Sequence, residues 1–124
     1  MKKSIFILLL TLCSCSREPE FTQIPNLVVQ EADSSFYKEY VMMGNPPDNQ
    51  GDIRVYVNKF IVEKGYDSLN SFYGQYRLVF FDNTSNSRAF VEGEESLDLA
   101  DVVCIVDWFN SPWYRNGKTY EFPR

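Results

Sequence analysis

Side chains able to do chemistry are sparse in this chain, and one kind is missing. Among 124 residues there is no histidine, which removes Ser-His and Cys-His nucleophilic catalysis and every metal site that needs imidazole. The three cysteines stand at 13, 15 and 104. Cys104 lies in the run Val102-Val103-Cys104-Ile105-Val106 with nothing basic beside it, so a buried, inert thiol is expected. The densest charge cluster is Glu92, Glu94, Glu95, Asp98 and Asp101. Its spacing fits no calcium loop, and it reads as a solvated connection. No phosphate-cradling glycine loop, Cys-x-x-Cys pair or serine-nucleophile motif occurs. Two carboxylates can hydrolyse a glycoside, but nothing in the spacing of the 17 acids selects a pair with separated pKa values. No catalytic residue, metal ligand or cofactor is therefore assigned.

The N-terminus carries the most specific pattern. Met1-Lys2-Lys3-Ser4 is basic, Ile5 to Leu12 is apolar apart from Thr11, and Ser16-Arg17-Glu18-Pro19-Glu20 is abruptly polar. A positive head, an apolar run of roughly 7–15 residues and small residues at a cut make a secretory signal. The run is shorter than the about 20 residues that a spanning helix needs. Leu12-Cys13-Ser14-Cys15 closes it, and the whole resembles a bacterial lipoprotein signal peptide, whose lipobox is Leu, two small residues and Cys. The resemblance covers residues 1–15 and no more. It implies cleavage before Cys15, a diacylglycerol thioether on the Cys15 sulfur and acylation of the new amino terminus. It also implies a cell-envelope address, and Ser16 in place of an Asp favours the outer membrane. One acyl chain holds a protein marginally and two or more hold it firmly, so the membrane is the first partner expected.

Cleavage there removes Lys2, Lys3 and no acid, which takes the net charge from −5 to −7. Nucleic-acid binders need a basic footprint, so nucleic acid is not an expected partner. Residues 15–30, interrupted by Pro19 and Pro25, read as a tether, with a first short strand at 26–30 as the alternative. Residues 31–124 read as one small domain, since the chain is 44% hydrophobic and of single-domain size.

Within that domain, Ser35 to Met43 suits either a strand or two helical turns. Gly44-Asn45-Pro46-Pro47 then breaks the chain. A helix is expected next, N-capped by Asp48, with Ile53, Tyr56, Val57, Phe60 and Ile61 on one face and Gly65 at its left-handed stop. Tyr73 to Phe81 reads as a central strand covered on both faces. Asp82 to Ser87 reads as a turn, Arg88 to Val91 as a short strand and Val102 to Phe109 as a buried strand. Asn116-Gly117 predicts a tight hairpin with Trp113 opposite Tyr120. The fold class is then α+β, one principal helix on an antiparallel sheet of about four or five strands with a C-terminal hairpin.

Six aromatics, Trp108, Phe109, Trp113, Tyr114, Tyr120 and Phe122, crowd the C-terminus, more than one hairpin face can bury. Trp and Tyr dominate binding hot spots, which makes Trp108, Trp113, Tyr114 and Tyr120 candidates for a partner surface. Asp67-Ser68-Leu69 also resembles the Asp-Ser/Thr-aliphatic O-glycosylation site of some exported bacterial proteins. The expected function is a non-enzymatic, lipid-anchored module that binds a protein partner. One alternative is an immunity or inhibitor protein, because acidic charge accelerates encounter with a basic toxin or hydrolase. The other is a carboxylate-based envelope hydrolase. Metabolic labelling with a fatty-acid probe is expected to mark the wild-type protein and to fail on Cys15→Ala, and labelling of both would refute the anchor.

Overall fold

A computed structural model describes residues 18–24, 29–30, 36–67, 74–110 and 117–123. Residues 1–17, with Cys13 and Cys15, lie outside this set, as do Ser68, Leu69, Trp113 and Tyr114. The fold is α+β as expected. Six strands form one sheet: β1 (Glu20–Gln23), β2 (Val29–Gln30), β3 (Phe36–Gly44), β4 (Gly74–Asp82), β5 (Val102–Asn110) and β6 (Gly117–Glu121). Their order is β1-β3-β4-β5-β6, and β2 shares the outer edge of β3 with β1.

The sheet is mixed, which corrects the antiparallel expectation. β3 and β4 are parallel, and every other pair is antiparallel. The reason is the principal helix α1 (Gln50–Lys64), which carries the chain back from the end of β3 to the start of β4. A helical crossover is what a parallel pair requires. Both helix ends are encoded locally. The Asn49 side chain, rather than that of Asp48, accepts the Asp52 amide at 2.8 Å, and Gly65 stops the helix at φ 75°, where a Cβ is strained. Between them Ile53, Val57, Phe60 and Ile61 are buried. This stripe outweighs the period-two alternation of residues 53–58.

α1 packs on one face of the sheet, against the fully buried Val41, Met43, Leu78, Phe80, Cys104 and Val106. A register shift between Phe80 and Phe81 leaves Val103 as the extra residue of β5, and it too is buried. The second face is covered at one end by α2 (Ser85–Val91). This helix stands where the sequence predicted a turn and then a strand. Thr84 and Ser87 bond each other's backbone amides at 3.1 and 2.8 Å, a reciprocal cap that starts a helix. α2 then seats Phe90 5.1 Å from the Tyr40 ring and 5.8 Å from Phe81.

Two further expectations change. Tyr120 pairs with Val106 and Lys118 with Trp108, so β6 pairs with β5 and not with a strand through Trp113. The longer β5 ladder, apolar through Val106, takes the partner that a turn at Asn116-Gly117 would have withheld. The stretch read as tether also contributes β1, because Phe21 stacks on Phe60 at 4.7 Å and meets Phe80 edge-on at 5.8 Å. Phe21→Ala is therefore expected to lower unfolding free energy by about 1–3 kcal/mol through lost burial and ring contacts. Urea melts read this directly, and an unchanged midpoint would make β1 part of a mere linker.

Candidate functional site

Period-two alternation along β3 puts Tyr37, Glu39, Val41 and Met43 on the α1-covered face. Glu39 is half-buried there, and a partly desolvated carboxylate is stabilised by hydrogen-bond donors. Helix α1 stops at Gly65, and the next residue, Tyr66, folds under it to donate its hydroxyl to Glu39 Oε1 at 2.7 Å. The Tyr76 hydroxyl, on β4, donates to Glu39 Oε2 at 2.6 Å. Gln23 Nε2, on β1, donates to the Tyr66 oxygen at 2.8 Å. Tyr37 stacks on Tyr76 at 4.6 Å, and Trp108 lies 6.1 Å from both Tyr66 and Tyr76. The result is a carboxylate held by two phenols inside a wall of aromatic rings.

Beyond Trp108 the cluster opens toward solvent. The Trp108 indole N–H and Lys118 Nζ both donate to Asp67 Oδ1, at 3.1 and 3.0 Å. Lys118 Nζ also sits 5.8 Å from the Trp108 ring and 5.6 Å from the Tyr120 ring. Tyr120 turns the other way along the face. Its hydroxyl donates to Asn58 of α1, and the Arg54 guanidinium covers its ring at 4.4 Å. Of the predicted partner residues, Trp108 is thus buried and Tyr120 half-buried, each fixing β5 or β6 to its neighbours. Trp113 and Tyr114 fall in residues 111–116, outside the described set. Sequence reasoning missed Glu39, Tyr66 and Tyr76, although Glu39 at an apolar period-two position was the available signal.

The electrostatics favour holding over reacting. Burial, reinforced by the hydrogen bond to Glu39, raises both phenols far above their ordinary value, so each keeps its proton and serves as a donor. Burial likewise pushes the Cys104 thiol up to about 12, which keeps it from acting as a thiolate nucleophile. Among the described residues no three Cys, Asp or Glu side chains gather as metal ligands, and no helix is long and apolar enough to cross a membrane. No protein family, curated protein or solved structure matches the chain.

Raised values fix the sign of the pH dependence. The unfolded thiol ionises near 9.0 and the unfolded phenols near 10.0, while the folded forms stay protonated. Their stabilisation is whole below those values and is lost as pH climbs through and beyond them. Urea melts from neutral to alkaline pH are expected to show a flat stability that falls above about pH 9. Tyr76→Phe should lower stability at neutral pH by about 1–3 kcal/mol, since Glu39 loses a donor, and should make the alkaline fall shallower. An unaltered alkaline slope in that variant would contradict the assignment.

Proposed function

We propose that the protein is a cell-envelope lipoprotein, held at the outer membrane through acyl groups on Cys15, that works by binding a protein partner. The observation that carries this reading is where the anchor would join the fold. β1 begins five residues after Cys15, and Glu20 pairs with Gly44. Five extended residues span at most about 17 Å. The bilayer would then face the end of the sheet that holds Gly44, Asp82 and Val102. At this end Glu18, Glu20 and Asp48 are exposed.

The opposite end is presented outward. There α1 stops, Asp67, Trp108 and Lys118 form their cluster, and β5 and β6 end and begin. The aromatic-rich residues 111–116 join those two strands in sequence. Trp and Tyr dominate binding hot spots, which suits Trp113 and Tyr114 of that stretch to capturing another protein. The net charge of −7 after cleavage, reached from −5 by loss of Lys2 and Lys3, favours a basic partner, as for an inhibitor of a toxin or hydrolase.

Photocrosslinkers at two exposed positions test the orientation in the anchored protein in its own cells. One at Lys64, at the outer end of α1, is expected to capture one specific protein, and Trp113→Ala should abolish that capture. One at Asp48 is expected to capture phospholipid. Identical products at both positions would refute the arrangement, and a captured hydrolase regaining activity on release would select the inhibitor reading.

A further inference from the structure

On the second face of the sheet, beside α2, lies a depression of about 450 Å³, within the usual size range of small-molecule sites. Its base is Val79 and Ile105, neighbours across β4 and β5. Phe90 of α2 and Leu97 of the following segment also line it. Leu99 lines it too and is 63% exposed, one of the most exposed large apolar side chains described. Apolar groups left in water around a concave surface are the mark of a ligand site, because covering them is favourable.

Lys38 and Arg77, opposite each other in the β3–β4 register, supply the charge of the site. They are not equivalent. Arg77 gives Nε and Nη2 to the Asp107 carboxylate at 2.7 and 3.1 Å. Lys38 rests 5.3 Å from the Tyr40 ring centroid, and among the described residues it has no carboxylate partner. With Asp107 taken up by Arg77, Glu121, opposite Ile105, leaves the β6 flank acidic, which turns an incoming anion toward the β3 side. The depression thus pairs a half-buried lysine at one side with hydrocarbon across the rest.

We propose that this depression binds a single-chain carboxylate amphiphile, with the carboxylate on Lys38 and the hydrocarbon over Val79, Ile105, Leu97 and Leu99. A neutral amphiphile leaves Lys38 unpaired, and a cationic one is repelled by it. The site belongs to the second face and does not depend on the partner-binding reading or on the anchor.

Titration calorimetry on the full chain carrying Cys15→Ser, which removes any attached acyl group as a competitor, tests this with dodecanoate, dodecanol and dodecyltrimethylammonium. Dodecanoate is expected to bind at least about tenfold more tightly than the other two, the scale of one charge-assisted contact. Lys38→Ala should erase that preference and Lys38→Arg should keep it, with unchanged melting temperatures for both. Leu99→Asp, at an exposed rim position, should weaken dodecanoate without unfolding the domain. Equal binding of the three amphiphiles, no binding at all, or indifference to Lys38→Ala or Leu99→Asp would overturn the proposal.

Discussion

A single carboxylate on the covered face of the sheet sets the terms for one end of this molecule. Glu39 stands in line with Tyr37, Val41 and Met43, where its half-buried charge is stabilised by strong donors. Both of its oxygens receive a phenol, one from Tyr66 and one from Tyr76. The stop of α1 at Gly65 serves this arrangement, since it lets the following tyrosine turn beneath the helix to reach Glu39. The arrangement also ties in β1, whose Gln23 completes the Tyr66 hydroxyl. Three separate stretches of chain are thereby registered against β3 by one side chain, and Trp108 with its partners Asp67 and Lys118 closes the wall around them.

Much of the scaffold was legible because its signals are local. Asn49 and Gly65 bound α1 within a residue of expectation, and Leu78 to Phe81, apolar on both faces, announced the central strand. The burial of Cys104 followed from its β-branched neighbours. What escaped was decided at a distance. Arg88 to Val91 has strand-like composition, yet the exchange between Thr84 and Ser87 commits the segment to helix. Asn116-Gly117 is a strong turn signal, but β6 takes its partner from the long ladder of β5. β1 lay hidden in a proline-flanked polar stretch, because the use of Phe21 appears only when Phe60 and Phe80 are brought to it. The site was the least legible part. Trp108 and Tyr120 drew attention as aromatics, while the organising residue is one of 17 acids, marked only by its period-two place between Tyr37 and Val41.

The two faces divide the work. On the first, α1 and the Glu39 cluster build rigidity, and its aromatic side chains are largely committed to hydrogen bonds and ring contacts within the domain. On the second, α2 and the segment after it cover only one end, and the concavity between Lys38 and Leu99 is left open. Among the described residues, the Lys38 ammonium has no carboxylate partner beside this concavity. The proposed anchor adds a direction to this asymmetry, because β1 enters the sheet at the end where α2 and its cap lie.

The position of β4 carries a last implication. Its Leu78-Val79-Phe80-Phe81 core is buried on both faces and hydrogen-bonded on both edges, to β3 on one side and β5 on the other. β5 comes late in the chain, so a polypeptide cut short before Val102 would present β4 with one bare edge, apolar from Leu78 to Phe81. Such an edge is a template for other strands. Incomplete copies of this protein are therefore expected to be prone to aggregation, and residues 102–110 close the edge that exposes them to it.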